Sequence, residues 1–452
     1  MEDKDDPELL NLSLAIVSSD SNGENSKKRK RIVNVCRPAH EGKVFMLLQV
    51  REEMLKLEEH GNKRENGGKG LHLIHSLLLA ATSVDKNNMN SALDSLVKLY
   101  QSVSLTGDSV QRVVAYFANG LFARILTPKS PFYNMIMKEP TDEQQFLAVT
   151  CLYKASPYYQ FAHFTANQAI IEAFEKNQKP SMSRTLHVID FDVSYGFQWP
   201  SLIQSLSETA ASTGKRISLK LTGYGRSFEE LHETETRLAS FAKGFHNVVF
   251  EFQGLLRGSK LIIKENEIVA VNLVLHFDNN FLESDMSETL RSVHSLRPSI
   301  VILVEQEGNN INNPRVRSFL PRFVESLHYF AAMFDSLDDC LPQESNERLS
   351  IEKNHFGKLI KAMININEFN RGNKAGTWKK MMESHGFEGV KLSSKCLMQA
   401  KLLLKIRTHN HCPFQRGDIN GGFRVFQKDE GKALSLGWQD RCLLTASAWQ
   451  CV

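Results

Sequence analysis

The hydrophobic pattern of the chain changes period at Leu186, and that switch restricts its fold more than any other feature. Upstream, apolar residues recur three and four apart, as on one face of a helix. Val44, Leu47, Leu48 and Leu55 form one such stripe, with Arg51 as a polar interruption. After a break rich in Gly, Asn and Lys over Gly61–Gly70, the spacing resumes with Leu71, Ile74, Leu77, Leu78 and Ala81. Leu93, Leu96, Val97 and Tyr100 form a third stripe, and Val110, Val113, Val114, Phe117 and Leu121 a fourth. The start signals agree. Asp108 with Gln111, and Thr141 with Gln144, have capping-box spacing, and Ser156-Pro157 reads as an N-cap followed by a first-turn proline. Glu41–Asn177 therefore reads as five or six helices.

From Leu186 the grammar is that of an α/β sheet. Leu186–Phe191 is short and nearly all apolar, as a buried parallel strand requires. A turn with Gly196 leads to a helix over Pro200–Ala211. Strand-like Ile217–Thr222, helical Phe228–Phe241, and strand-like Val248–Phe252 and Ile268–Leu275 follow. Helix Ser287–Leu296, strand Ile300–Glu305 and helix Val316–Tyr329 continue the alternation. Alternating strands and helices imply a mostly parallel sheet. At the end, Gln399–Ile406, Gly422–Gln427 and Cys442–Trp449 read as strands, with no helix between the last two, so an antiparallel edge is expected. The order of patterns predicts an N-terminal helical cap over residues 41–177 and an α/β core over residues 178–452.

Composition narrows the class. An apolar fraction of 42% over 452 residues is ample for a large core and excludes wholesale disorder. No apolar run approaches the ~18 residues of a membrane span. The acidic start, Met1–Glu8, does not fit a secretory signal or a typical transit peptide. Seven cysteines at irregular spacing, without Cys-x-x-Cys, point to a reducing compartment. The first forty residues stand apart. Met1–Ser26 holds seven acidic residues and one Lys, and Lys27, Lys28, Arg29, Lys30 and Arg31 then set five positive charges in a row. Such a block has nothing to bury and is expected to be a disordered tail, the basic run serving as a nuclear import signal.

The strongest candidate for chemistry is Leu186–Trp199: strand, Asp190, Asp192, Gly196, then helix. In Rossmann-like folds this turn receives nucleotides or S-adenosylmethionine. Here the turn has a single Gly, bulky Tyr195, Phe197 and Trp199, and Thr222-Gly223-Tyr224-Gly225 where an acidic ribose ligand would end the second strand. These departures favour a retained fold with a lost or altered pocket over an active cofactor site. His409, His411 and Cys412 lie close together without a second ligand cluster, which argues against zinc. Glu305 and Glu307 end a strand, with Arg315 and Arg317 following as partners. No Gly-x-Ser-x-Gly, Walker loop or His-Glu-x-x-His occurs.

Five blocks, in order over about Glu41–Val452, resemble the plant GRAS family of scarecrow-like proteins. Leu71–Ile125, with Gly107-Asp108, Gln111-Arg112 and Tyr116-Phe117, resembles the first leucine-rich region. His187, Val188, Ile189 and Asp190, with Gln198-Trp199, are similar to the VHIID signature. Leu238–Leu256 resembles the second leucine-rich region, and Val269–Asn365, with Arg297-Pro298, Glu305-Gln306-Glu307 and Glu347-Arg348, the PFYRE region. Trp378–Trp449 resembles the SAW region, with Gly437-Trp438-Gln439 and Ser447, Ala448 and Trp449 as landmarks.

The resemblance implies an α/β, Rossmann-like, methyltransferase-related core with an N-terminal helical cap. It also implies a non-enzymatic transcriptional regulator of the plant nucleus, without cofactor. It further implies pairing with other GRAS proteins and with zinc-finger or other transcription factors, and direct DNA contact in some members. The alternative is a methyltransferase that keeps an S-adenosylmethionine pocket. No DELLA-type sequence precedes the domain, which argues against a gibberellin-receptor-regulated repressor. Leu10, Leu12 and Leu14 resemble the Leu-x-Leu-x-Leu repression motif that docks, extended, in an apolar groove of Topless-type co-repressors.

Overall fold

The computed structural model describes residues 38–59, 70–126, 130–177, 185–259, 261, 263–264, 266–275, 283–307, 318–365, 378–410 and 422–452. The chain divides into two compact units, Met1–Gly42 and Lys43–Val452. Of the first, only the helical residues 38–42 are described. The sheet belongs to the second.

Seven helices precede the first strand among the described residues: α1 (Pro38–Glu59), α2 (Gly70–Asp85), α3 (Met89–Ser102), α4 (Ser109–Ile125), α5 (Pro131–Met137), α6 (Asp142–Ala155) and α7 (Pro157–Asn177). The excess over the expected number includes the seven-residue α5, too short for periodicity to reveal. The caps form as read. Asp108 accepts from the Gln111 N–H at 2.8 Å. Thr141 and Gln144 form a reciprocal capping box, and the Ser156 hydroxyl accepts from the Tyr158 N–H at 3.3 Å. α4 is buried almost all round, which identifies it as the axis of the helical layer.

The sheet strands and their helices follow: β1 (Thr185–Asp190), α8 (Trp199–Thr213), β2 (Ile217–Gly225), α9 (Phe228–Ala242), β3 (Val248–Leu256), β4 (Ile268–Val274), α10 (Glu283–Ser295) and β5 (Ile300–Gln306). Then come α11 (Phe319–Cys340), α12 (Asn346–Ile351), a π-helical turn (Glu352–Phe356), α13 (Gly357–Asn365), α14 (Trp378–Ser384), β6 (Phe387–Val390), α15 (Ser394–Asn410), β7 (Phe423–Lys428), β8 (Ala433–Trp438) and β9 (Arg441–Cys451). The sheet order is β3-β2-β1-β4-β5-β9-β8-β7, with β6 also paired to β9. β1 to β5 are parallel, and β9, β8 and β7 extend the sheet antiparallel. The order 3-2-1-4-5 is that of a doubly wound, Rossmann-like sheet, as the sequence and the resemblance predict, and the antiparallel edge is where it was expected.

Two cores lie on opposite faces of the sheet, set by the two-residue alternation of each strand. Leu186 and Val188 of β1, Ala270 of β4, Ile300, Ile302 and Val304 of β5 and Leu444, Ala446 and Ala448 of β9 join the larger core with the cap helices. Ile189, Val271, Leu273, Val301, Leu303 and Trp449 point the other way and meet α10, α14 and β6.

Three sequence expectations are corrected. Gln399–Ile406 is not a strand but the middle of α15. Gln, Ala, Lys and Leu are strong helix formers, and Cys396, Ala400, Leu403 and Leu404 make a buried stripe of helical spacing. The short strands β6 and β8 were not read at all; Gly389 and Gly437 interrupt their apolar pattern. The cap is not purely N-terminal: α11 and α13, from downstream of β5, pack on α4, and α12 packs on α6. Conversely α7, read as part of the cap, lies on β4, β5 and β9.

Candidate functional site

Asp190 closes β1, beside Gly223 of β2 and Asn272 of β4. It is 3% exposed, and a buried carboxyl must be hydrogen-bonded or neutral. It is hydrogen-bonded, and its burial favours the neutral form. Its Oδ1 accepts from the Asn272 side-chain amide at 3.2 Å and from the Asp192 N–H at 3.2 Å. Burial pushes its pKa from 3.8 to about 7, against the lowering effect of the Asn272 hydrogen bond.

The network continues inward. Asn272 and Gln198 exchange two amide hydrogen bonds, at 3.0 and 3.1 Å. Gln198 also donates to Asn167 Oδ1 at 3.0 Å, and Asn167 returns a bond to the Gln198 carbonyl at 3.0 Å and one to Ser201 Oγ at 2.8 Å. Asp190, the strand β4, the start of α8 and the middle of α7 are thus joined by buried side chains. Asp190 ties the turn to β4, and Gln198 carries the link on to α8.

The turn after β1 is filled by its own residues. The Val193 N–H donates to the Tyr224 carbonyl at 3.0 Å, so the turn lies across the end of β2. A Cβ at Gly223 would come within 2.8 Å of Val193. Gly196 has φ +70°, and a Cβ there would meet Thr234 at 2.9 Å. Tyr195 and Phe197 pack on Phe146 of α6, with ring centroids 5.2 and 5.7 Å apart, and Trp199 is fully buried. Asp192 is held by Arg257 at 2.9 Å.

His187 faces the opposite side of β1. Its Nδ1 lies 2.7 Å from Glu267 and its Nε2 2.8 Å from Thr222, so one ring spans the neighbours of β1 on both sides. Burial lowers its pKa, and Glu267 opposes the shift. Val188 and Ile189 enter the two cores. At the end of β5, Glu307 accepts from Lys428 Nζ at 2.7 Å and from the Thr445 hydroxyl. Burial, reinforced by Glu307, pushes Glu305 up to about 8. The expected partners Arg315 and Arg317 lie outside the described residues, as do His411, Cys412, Lys27–Arg31 and Leu10, Leu12 and Leu14. Among the described residues no group of three or more His, Cys, Asp or Glu could hold a metal ion.

Sequence reasoning missed Asn272, Asn167, Glu267 and the pairing of Gln198. A signal existed for one of them: Asn272 is the single polar residue in an otherwise apolar run. The geometry makes Asp190 a structural acid with a definite pH signature. Its folded pKa lies above its unfolded value, so the folded state binds the extra proton and stability falls as pH rises from about 4 to about 7. Asp190→Asn should flatten that part of the pH–stability curve, while Asp190→Ala should cost about 1–3 kcal/mol at pH 5. Thermal melts across that range check both; an Asp190→Asn profile identical to wild type contradicts the assignment.

Residues 73–450 match the GRAS domain family. Protein SCARECROW of Arabidopsis thaliana is 33% identical over 410 residues, covering 88% of this chain and 58% of that protein. DELLA protein GAI1 of Vitis vinifera is 35% identical over 401 residues, covering 84% and 62%. The chain spans about half the length of the curated relatives it matches. The crystal structure of SCL7 in Oryza sativa superposes with a TM-score of 0.65 at 29% identity, over 84% of this chain and 99% of that one. No helix among the described residues is long and apolar enough to cross a membrane.

Proposed function

Since the chain belongs to the GRAS domain family, we propose that it is a transcriptional regulator of the plant nucleus that works through protein–protein contacts and catalyses no reaction. The observation that carries the non-enzymatic reading is the Asp190–Asn272–Gln198–Asn167 network, which occupies the strand ends where a Rossmann-like sheet would receive a cofactor. The turn beside it is packed by Val193, Tyr195 and Phe197 rather than open. The fold then serves as a rigid scaffold, and function resides on its surfaces.

In this reading the partners are other GRAS proteins, as homo- or heterodimers, and zinc-finger or other transcription factors, with direct DNA contact in some settings. Lys27–Arg31 act as the nuclear import signal, and Leu10, Leu12 and Leu14 offer an anchor for a Topless-type co-repressor. The His187–Asp190 and Ser447–Trp449 motifs hold the scaffold together rather than touch a partner.

A tethered reporter in plant protoplasts tests the reading. The full chain fused to a heterologous DNA-binding domain should change transcription of a reporter carrying the cognate sites. No change in either direction would contradict it. Replacing Lys27–Arg31 with alanine should reduce nuclear accumulation of a tagged chain while leaving its melting temperature unchanged; undiminished accumulation would place the signal elsewhere.

A further inference from the structure

We propose that the outer face of α15 docks an acidic amphipathic helix of a partner protein. Among the described residues, helix α15 packs by one side. Cys396, Ala400, Leu403 and Leu404 are buried, and the helix packs on α7 and β7. Met398, Leu402 and Ile406 stand four residues apart on the opposite side and are 61%, 55% and 53% exposed. Three large apolar side chains in line on one helix face form a contiguous patch rather than scattered exposure.

Charge identifies the occupant. Lys395 and Lys401, six residues apart, are exposed and fall on the exposed half of the helix with the apolar row. Lys391 precedes them, also exposed, and α15 itself contains no Asp or Glu. An apolar strip bordered by ammonium groups complements a helix that presents leucine-like residues three and four apart with carboxylates on their flanks. Such a helix buries the strip and sets its carboxylates against the lysines, and the pairing fixes its register.

The inference deepens the scaffold reading by giving one surface a partner chemistry, and its test is separate from the reporter. The probe is a fluorescein-labelled peptide of about four helical turns, with leucines along one face and glutamates beside them. Fluorescence anisotropy with the full chain should show saturable micromolar binding. Met398→Ser with Leu402→Ser should weaken it at least about tenfold. Lys395→Glu with Lys401→Glu should weaken it too and favour a peptide carrying lysines in place of the glutamates. All four positions are exposed, and circular dichroism checks that each variant is folded. No binding at high micromolar chain, or binding unchanged in both variants, overturns the proposal. So does sedimentation showing a dimer that Leu402→Ser dissolves, which would assign the face to a second copy. Binding only to phosphatidylserine vesicles, and not to the peptide, would assign it to a membrane surface and overturn the proposal as well. A failed peptide experiment beside a positive reporter leaves the regulator reading standing; the reverse result separates them equally.

Discussion

Glu352→Ala lowers the stability of the folded chain by about 3–5 kcal/mol, read as a fall in the urea midpoint at unchanged slope. Glu352 opens the π-helical turn and is fully buried. Its Oε1 accepts from Arg112 Nε of α4 and from Arg348 Nη1 of α12, each at 2.9 Å. Arg112 also donates to the Gly107 carbonyl at 2.7 Å and pairs with Asp338 of α11, and Arg348 donates to the Gln343 carbonyl at 2.9 Å. One carboxylate thus joins the N-terminal helices to those that return after β5. Guanidinium groups stay charged, so removing the carboxylate takes the acidic partner from buried Arg348 and leaves Arg112 with Asp338 alone. Glu352→Gln keeps an acceptor and should lose less. An alanine variant with the wild-type midpoint would show that the cap does not depend on this cluster.

Trp449→Ala costs about 3–5 kcal/mol by the same measurement. Trp449 is 5% exposed on β9, opposite Val301 of β5 and Gly389 of β6. It belongs to the smaller core with Leu303, Met381, Met382 and Phe387. Its Nε1 donates to Ser447 Oγ at 2.8 Å, and Ser447 in turn donates to the Leu303 carbonyl at 3.4 Å. Ser447 and Trp449 share one strand face because they are two residues apart. Truncation removes a large aromatic from the junction of three strands and leaves the Ser447 hydroxyl with less to do. Trp449→Phe, which retains most of the buried area, should cost less. A fully stable Trp449→Ala chain that loses only a partner would make this face a docking surface instead. Trp438, on the other face, is equally buried: it packs edge-on against Phe423 at 4.8 Å and donates to Asp335 at 2.6 Å.

The parallel half of the sheet was legible because each of its strands is buried on both faces and reads as an apolar run. The caps at Asp108, Thr141 and Ser156 were legible because capping chemistry is local in sequence. What escaped has non-local causes. α15 passed for a strand because three consecutive leucines, Leu402–Leu404, mask the helical period when one of them is solvent-exposed. The return of α11 and α13 to the cap depends on contacts such as that of Gly120 with Ile364, where a Cβ would come within 2.4 Å, and no spacing rule reports those. At the site, Asp190 and the crowded turn were visible as motif and departure. Asn167, Gln198 and Asn272 come from three separate elements, so their meeting is a property of the fold alone.

Titration calorimetry of the full chain with S-adenosylmethionine tests the central claim most directly. If side chains of the chain itself fill the ends of β1 and β4, no saturable heat appears up to high micromolar ligand, and the melting temperature does not move when ligand is added. Stoichiometric binding with micromolar affinity, abolished by Asp190→Ala, would show that the strand ends hold a working cofactor pocket and would contradict the account.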